Sequence, residues 1–458
     1  MKSVYSPNEY KHLGSDSAMI QAAVDEAAKH GATVVIPRVN ERTDACLWEI
    51  DEAIVLHTGS NILLENCYMR LVDDTYTNFF VNDATLGKWW KKETRNFDIK
   101  ITGTGNALLD GGKPNDLIEN NFTIYDENGN FAGRRTIHGF TNCIPNIGIL
   151  MQNVERVEIS GIRFIRPRYW CMNFEYCAWG HVHDIWFDAD GANQNQDGCD
   201  IREGCHDFLV ENLSGRTGDD MLALTNFGHP KRRTDGEDTD MDPDIHDIVV
   251  RNIRATMSHR CDIIRLLCRG ECKIYNVQIS GVQDTTPPEI WRPLAAIRIG
   301  DISDYQARLN RIGEMRNVTV RDVVTRARFG CYIANTLCDS YFENIQMVDD
   351  GGTGIYFNGC ELENVTVKDL TYGALTSPSR EDLDYVSKFH RVTLDSISAV
   401  YFKDCISAKN LRFENLRTAK EMDYAFGGNS EISLIAENTV FQNESTKLSS
   451  LAKVTSKE

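Results

Sequence analysis

A short phrase of alternating apolar residues, closed by Asn, Asp or Gly and then an aliphatic residue, recurs along this chain of 458 residues. Examples are DIWFDA at 184–189, FLVENL at 208–213, IVVRNI at 248–253, VTVRDV at 318–323 and VTVKDL at 365–370. Measured at the polar residue before the last aliphatic one, the spacing is 24 from Asp188 to Asn212, 24 from Asn252 to Asn276, 22 from Asp322 to Asn344 and 25 from Asn344 to Asp369. One β-type phrase per period of this length is typical of a solenoid, in which neighbouring repeats bury each other.

The residues of the phrase narrow the kind of solenoid. Their β-branched, alternating character excludes helical repeats, and the regular leucine ladder of leucine-rich repeats is absent. A parallel β-helix fits, with each coil stacked ~4.8 Å above the last. The segment 15–31 predicts a helix that caps the open first coil, because Ser15 or Asp16 can cap its start and Gly31 can stop it.

Two longer gaps between phrases predict loops that leave the coils. Asn212 to Asn252 is 40 residues and Asn276 to Asp322 is 46, which places insertions near 226–244 and 281–311. We expect a single β-helix domain over 1–458, with a core of about 17–443 and a polar tail, 444–458, that frays.

Composition excludes several classes of partner. Forty-nine Lys and Arg against 67 Asp and Glu leave a formal charge of -18, which repels a polyphosphate, so we expect no nucleic acid. No run of 18 or more apolar residues occurs, so we expect no membrane span.

Cysteine usage and the first residues bear on location. The 14 Cys show no paired CxxC spacing of the zinc kind, so we interpret them as reduced and buried. The opening MKSVYSPNEYKHLGSDS contains no apolar signal-peptide region, and the two features together favour the cytoplasm. A secreted chain whose leader had been removed would look the same.

Three aspartates in the segment 193–226 are spaced by about one coil. Asp197 lies 22 residues before Asp219 and 23 before Asp220. This spacing stacks residues on adjacent coils, and Gly218 permits a bend that aims both later carboxylates outward. Clustered like charges leave one carboxyl protonated and others ionised, as glycoside hydrolysis requires. The alternative is that Asp-Gly and Gly-Asp-Asp are ordinary turn sequences.

Four phrases of the chain match motifs of one enzyme family. They are Asn195-Gln196-Asp197-Gly198-Cys199-Asp200, close to Asn-Thr-Asp-Gly-x-Asp; Gly218-Asp219-Asp220, close to Gly-Asp-Asp; Leu109-Asp110-Gly111-Gly112, close to Ile-Asp-Gly; and Arg166-Pro167-Arg168-Tyr169-Trp170, close to Ser-Pro-x-Trp. The chain thus resembles glycoside hydrolase family 28, the polygalacturonases and rhamnogalacturonases, over roughly 15–300. The resemblance implies an all-β, single-stranded right-handed parallel β-helix of the pectin lyase-like superfamily.

The resemblance also implies catalytic roles. Asp219 corresponds to the general acid, and Asp197 and Asp220 to the residues that position and activate water for an inverting displacement. The family's Gly-His-Gly element falls at ATMSHRCDI, which assigns His259 to tuning the acid, although both flanking glycines are replaced. A loop histidine is the alternative. Asp200, which closes the first motif, is assigned to substrate binding.

One departure from the family concerns the substrate. The family's Arg-x-Lys, which grips a substrate carboxylate, falls at Arg298, but Gly300 stands at the Lys position. Without that ammonium, either a neutral sugar is bound or another base, such as Arg265, has taken over. For any single arginine, lying over apolar surface is the alternative.

Other candidates are weaker in pattern. Trp170 and Trp291 flank the site in sequence order and could stack on a sugar, with core packing as the alternative. Loops from the two insertions could close the cleft into a pocket, which favours exo action on short oligosaccharides. The stretch 235–244 lacks calcium-loop spacing, and His181 with His183 is weak evidence for a metal. We therefore expect no metal and no other cofactor.

Three functions remain open. The leading hypothesis is an inverting, exo-acting glycoside hydrolase for pectic-type oligosaccharides, either galacturonides or rhamnogalacturonides. The first alternative is a polysaccharide lyase on the same fold, with Arg265 or Arg298 as base. The second is a non-catalytic carbohydrate-binding β-helix of the tailspike kind. The partner is an oligosaccharide in each case, and solenoid sides can pack into homo-oligomers, though no phrase specifies one.

Overall fold

The computed structural model is nearly all-β, and the parallel β-helix that the sequence predicts is confirmed. It describes residues 2–115, 123–125, 131–134, 145–193, 195–228, 239–259, 261–290, 292–301, 308–348, 352–372, 398–418, 422–441, 444–451 and 453–457. The chain divides into two compact units, one of Met1–Leu222 with His229–Pro243 and one of Ala223–Gly228 with Asp244–Glu458.

The first unit begins with the expected capping helix. Helix α1 (Asp16–His30) starts where the Ser15 hydroxyl accepts a hydrogen bond from the Ala18 amide, and it ends at Gly31 with φ of 59°. Its apolar face, which includes Met19 and Ile20, is buried against the first strands. The remaining helices are short: α2 (Asp83–Leu86) and the 3-10 turns Pro7–Tyr10 and Lys92–Thr94.

Short strands make up most of the first unit. They are β1 (Val4–Tyr5), β2 (Thr33–Pro37), β3 (Trp48–Ile50), β4 (Ile54–Leu56), β5 (Asn61–Glu65), β6 (Tyr68–Leu71), β7 (Phe80–Asn82), β8 (Asn96–Thr104), β9 (Leu108–Asp110), β10 (Thr123–Tyr125), β11 (Phe131–Arg134), β12 (Ile149–Gln152), β13 (Val154–Ser160), β14 (Arg163–Ile165), β15 (Met172–Glu175), β16 (Ala178–Asp188), β17 (Cys199–Ile201) and β18 (His206–Thr217). Strands β4, β7, β12, β15 and β17 pair in one parallel sheet, β10 and β11 form an antiparallel hairpin, and the others form a second parallel sheet.

The second unit repeats the two-sheet arrangement. Its strands are β19 (Leu222–Asn226), β20 (Ile245–Met257), β21 (Ile264–Cys268), β22 (Ile274–Asp284), β23 (Ala295–Ile299), β24 (Met315–Thr325), β25 (Phe329–Ile333), β26 (Leu337–Met347), β27 (Thr353–Asn358), β28 (Glu361–Tyr372), β29 (Ser398–Lys403), β30 (Ser407–Glu414), β31 (Arg417–Thr418), β32 (Tyr424–Gly428), β33 (Ser433–Glu437), β34 (Val440–Phe441), β35 (Lys447–Ser449) and β36 (Lys453–Lys457). Strands β21, β23, β25, β27, β29, β32 and β35 follow one another in one parallel sheet.

The long strands bend at Asn and Asp residues with left-handed backbone. Asp184 and Asn212 have φ of 55° and 56°, and the Asn212 amide donates to the Asp184 carboxylate at 2.9 Å. Asn344 donates to Asp322 in the same way at 2.7 Å. Asn and Asp tolerate this conformation, and stacking them lets each coil bond to the next. The recurring polar residue is therefore the bend residue in the phrases that contain Asn212, Asn252, Asp322 and Asp369.

The pairing corrects part of the predicted spacing. Asn212 stacks on Asp184, which is 28 residues away, and not on Asp188. Asp188 is instead opposite Arg216 in the strand pairing. Asn276 likewise stacks on Asp247 rather than on Asn252. Each long strand contains two bends five residues apart, as at 247 and 252, so phrase matching slipped from one bend to the other at Asn276. Asp188 is not a bend residue at all. The spacing of 22 from Asp322 to Asn344 is confirmed.

The expected loops and tail can be compared with the strands. Within 226–244, residues 229–238 lie outside the described residues. The stretch 281–311 contains the end of β22 and all of β23. From 444 onward, where we expected fraying, β35 pairs with β32 and β36 pairs with β33, each in parallel.

The core and the cysteines follow the expected pattern. Inward side chains stack from coil to coil, as Phe357 does on Phe402 with ring centroids 4.9 Å apart. The described cysteines are free, and all but Cys46 and Cys261 are buried. Among the described residues, no helix has both the length and the apolar character needed to cross a membrane.

Candidate active site

Two turns of the first unit carry the three aspartates. Asp197 precedes β17, and Asp219 and Asp220 precede Leu222. The Gly198 amide donates to the Asp220 carbonyl at 2.9 Å, which sets Asp197 beside Asp220 on the next coil. Of the two spacings that the sequence offers, the 23-residue pair is therefore the one in register.

The three carboxylates form one cluster. One oxygen of each of Asp197, Asp219 and Asp220 lies within 4.8 Å of the other two. Asp197 and Asp220 are 5% and 3% exposed, whereas Asp219 is half-buried. Asp219 Oδ1 accepts a hydrogen bond from the Asp220 amide at 3.1 Å. Two carboxylates are thus enclosed while the third reaches solvent.

Such a cluster can do two kinds of chemistry. Two oxygens up to 4.8 Å apart can share one water at ~2.7 Å from each, because the water can sit off the line that joins them. The same oxygens could instead bind a divalent cation, which prefers carboxylate ligands. In the part of the chain that the structure describes, this is the one group of three or more His, Cys, Asp and Glu side chains close enough together to hold a metal ion.

Gly218 has a different role from the predicted one. It is not among the glycines with left-handed backbone, so the turn does not depend on a conformation special to glycine. A Cβ added there would lie 2.6 Å from Gln196 Oε1 and 2.8 Å from Gln196 Cβ. Glycine is needed because the turn that carries Asp219 lies directly against Gln196.

Sequence reasoning missed Gln196, although the motif contains it. Its side chain donates to the Pro167 carbonyl at 2.7 Å and to Asp190 Oδ1 at 2.8 Å, and it accepts from the Gly191 amide at 2.9 Å. Its backbone carbonyl accepts from the Gly218 and Asp219 amides at 3.0 and 3.4 Å. The available signal was the motif's departure from Thr to Gln at this position.

The two flanking phrases are joined to each other. Buried Asp110 accepts hydrogen bonds from Arg166 Nε at 3.0 Å, from the Tyr68 hydroxyl at 2.6 Å and from the Gly112 amide at 2.8 Å. Although burial opposes it, these partners lower the pKa of Asp110 below its usual value. Pro167, which follows Arg166 in the chain, accepts a hydrogen bond from the Gln196 side chain. One hydrogen-bond network therefore connects both flanking phrases to the first aspartate motif.

Asp200 and Trp170 are both buried. Asp200 on β17 is 2% exposed and in register with Asn173 on β15. Trp170 is 9% exposed, with the Tyr169 ring at 4.8 Å and the Arg202 guanidinium at 5.2 Å. Sugar stacking by Trp170 and substrate binding by Asp200 stay predictions.

A buried acid beside β17 was also missed by sequence reasoning. Burial, with Glu203 nearby, raises the pKa of Glu175, which accepts from Gln152 at 2.7 Å and from Asn173 at 3.2 Å. Arg202 contacts Glu203 at 3.4 Å. No spacing pattern in the sequence distinguishes these residues from ordinary strand residues.

The remaining candidates belong to the second unit. Arg298 on β23 contacts Asp262 at 3.1 Å and Asp301 at 2.9 Å, and Arg265 on β21 contacts Asp301 at 2.9 Å. Both guanidinium groups are thus paired with internal carboxylates. His259 is exposed just after β20. Trp291 lies outside the described residues.

Gly300 has a structural explanation. Its φ is 82°, and an added Cβ would overlap the Asn335 side chain and come within 2.9 Å of the Ala334 backbone. A lysine cannot be accommodated there. The pair His181 and His183 is likewise engaged, with Glu211 at 3.1 Å and Asp184 at 2.7 Å, and forms no metal cluster among the described residues.

No protein-family model and no curated protein sequence matches the chain. A tailspike protein double mutant of E. coli bacteriophage HK620, in complex with a pentasaccharide, matches with a TM-score of 0.60 at 12% identity, over 99% of this chain and 80% of its own. An exopolygalacturonase from Thermotoga maritima matches with a TM-score of 0.47 at 13% identity, over 100% and 92%. At such identities the tailspike match supports the parallel β-helix fold alone.

Proposed function

We propose that this protein is an inverting glycoside hydrolase that acts by exo cleavage on pectic-type oligosaccharides. The observation that carries the proposal is the cluster of Asp197, Asp219 and Asp220, with one oxygen of each within 4.8 Å of the others. The resemblance of both aspartate motifs to family 28 supports the choice of substrate class.

The division of roles follows the resemblance of the two aspartate motifs to family 28. Half-buried Asp219 gives its proton to the glycosidic oxygen as the bond from that oxygen to the anomeric carbon breaks. A water held between Asp197 and Asp220 attacks the anomeric carbon from the opposite face and passes a proton to one of these carboxylates. The products are two sugars with free hydroxyls; the carboxylate that accepted the proton releases it to solvent, and Asp219 takes a proton from solvent.

The distance between acid and base bears on inversion. Acid and base in inverting enzymes are typically ~6.5–9.5 Å apart, and the nearest oxygens here are closer. Three carboxylates, two of which can hold one water, nevertheless fit a displacement by water. Proton NMR of the first product formed distinguishes the two outcomes: an inverted anomer is expected, and a retained one overturns inversion.

Asp219→Asn is the central test of hydrolysis. We expect kcat to fall by about 10³-fold, because an amide cannot protonate the leaving oxygen. The assay measures new reducing ends from galacturonide, rhamnogalacturonide and neutral α-linked oligosaccharides, and exo action releases a monosaccharide. Asp207→Asn, an exposed carboxylate on β18, is the matched control and keeps full activity. Full activity in Asp219→Asn would refute the proposal.

The same assay separates the alternatives. A lyase produces an unsaturated sugar that absorbs in the ultraviolet, whereas hydrolysis does not. The lyase is less well supported, since Arg265 and Arg298 are both paired with internal carboxylates. A non-catalytic carbohydrate-binding protein would bind oligosaccharides without forming a product.

We also propose that the protein acts in the cytoplasm on short oligosaccharides, as a monomer or a homo-oligomer, without a metal cofactor. Free, buried cysteines support a reducing compartment. Cell fractionation and light scattering test location and oligomeric state. Activity that survives a chelator supports metal-free hydrolysis, and loss that Ca²⁺ restores would assign the carboxylates to a cation.

A further inference from the structure

We infer that Gln196 is a positioning residue that holds the general acid Asp219 at its working distance from the water-binding carboxylates. The inference rests on the proposed function and extends it to a residue that contacts no substrate. It starts from the position of Gln196, which directly precedes Asp197 in the chain and lies against the turn that carries Asp219 on the next coil.

The Gln196 side chain is immobilised. It is 1% exposed, and its amide uses both its nitrogen and its oxygen in hydrogen bonds. The partners come from two different segments: the Pro167 carbonyl from the preceding coil, and Asp190 with the Gly191 amide from the turn after β16. Neutral Gln satisfies two acceptors and one donor at once, which neither Glu nor Thr can do.

The Gln196 backbone is hydrogen-bonded to the turn that carries the acid, Asp219. Its carbonyl accepts from the Gly218 amide at 3.0 Å and from the Asp219 amide at 3.4 Å. The side chain fills the space beside Gly218 that a Cβ would otherwise occupy. One residue is therefore bonded to the acid's own amide and covalently attached to the water-binding Asp197.

The consequence concerns one step of the reaction. If Gln196 is truncated, the turn that carries Asp219 loses the side chain packed against Gly218, and the carbonyl that accepts from the Gly218 and Asp219 amides is no longer held by the bonds to Pro167 and Asp190. Asp197 and Asp220 keep their own backbone pairing. Proton donation to the leaving oxygen should suffer, because transfer depends steeply on distance. Attack by water should suffer less.

The test compares two leaving groups on the same sugar, which is the one the wild-type enzyme releases. For Gln196→Ala, kcat with a sugar leaving group should fall about tenfold to a hundredfold at nearly constant KM. With a nitrophenyl leaving group, which departs without a proton, kcat should fall less than about threefold. An equal fall with both leaving groups would mean that Gln196 only supports the fold, and would overturn the inference.

A second variant keeps the test decisive if Gln196→Ala does not fold. Asp190→Ala removes one partner of the Gln196 amide from an exposed position, and it should cause a smaller loss with the same leaving-group dependence. Asn193→Ala is the control, since it removes a hydrogen bond to the Arg168 carbonyl in the same turn without touching Gln196. If the loss of kcat in Asp190→Ala is the same with both leaving groups, the inference is overturned. Failure of the proposed function is distinguishable, because the wild type would then cleave neither substrate.

Discussion

Gly218 and Gly300 are two residues whose small size has a specific cause. At Gly218, the Cα lies against the Gln196 side chain, which its hydrogen bonds hold in place. At Gly300, left-handed backbone and the nearby Asn335 exclude any side chain. The first glycine belongs to the architecture of the site, and the second explains why the family's lysine is absent.

Gly218→Ala should impair activity more than folding. The new methyl would displace either Gln196 or the turn that carries Asp219, at a cost of about 1–3 kcal/mol in the free energy of unfolding. We expect kcat to fall about a hundredfold, because a shift of ~1 Å at the acid is enough. Steady-state kinetics and urea unfolding measure the two effects.

Gly14→Ala provides the comparison for this variant. Nothing lies within 4 Å of a Cβ at Gly14, so stability and kcat should both stay unchanged. If Gly218→Ala retained wild-type kcat, the close contact between Gly218 and Gln196 would have no catalytic importance.

At the scale of elements, a histidine links both α-helices of the first unit to a strand. His57, just after β4, contacts Asp83 of α2 at 2.9 Å and Asp25 of α1 at 2.9 Å. The hydrogen bond with Asp83 raises the pKa of His57 to about 9, with burial opposing and Asp25 assisting the shift. The capping helix is therefore held partly by a charge that titrates.

This link makes stability depend on pH. The folded-state pKa of His57 lies above its unfolded value, so the stabilisation is complete below about pH 6.5 and is lost as pH rises through about 9. We expect about 1–2 kcal/mol after allowing for solvent screening. Urea unfolding of wild type and His57→Gln should differ by this amount near pH 6 and converge near pH 10. His12→Gln, an exposed histidine, should match wild type at both, and a constant difference for His57→Gln would refute the link.

At the scale of the whole molecule, net charge provides a test of the substrate. A charge of -18 repels an acidic oligosaccharide, and salt screens that repulsion. If the substrate is a galacturonide, kcat/KM should rise severalfold between low and physiological salt. With a neutral oligosaccharide it should stay flat. A fall with salt for the acidic substrate would instead indicate a cationic binding site.

The sequence predicts the fold well because a solenoid repeats its own signal. The β-strand phrase, the capping helix from Asp16 to His30 and the stacking of Asp197 on the next coil all depend on local pattern or on coil length. The single domain and the catalytic roles stay predictions. The coil spacing was partly wrong, because each long strand has two similar bends, such as Asp247 and Asn252.

Other features of the site could not be predicted from spacing. Gln196, Glu175 and Arg202 acquire their importance from contacts between coils, and nothing in the local sequence marks those contacts. The pairing of Arg298 with Asp262 and Asp301 could not be predicted either. The sequence identifies the arginine, but not the carboxylates that form ion pairs with it. Sequence patterns thus identify charged residues, but contacts with other coils decide whether those residues are free to bind a substrate.

The stacking of Asp197 and Asp220 on adjacent coils has a consequence for how such a site can change. Neighbouring parallel strands are ~4.8 Å apart, so backbone pairing fixes the distance between the positions of Asp197 and Asp220. No side-chain substitution elsewhere can tune it gradually. Evolution can move an acid by one whole strand spacing or change the conformation of the turn that carries it. The turn at Asp219 is therefore the part of the site whose geometry can be adjusted.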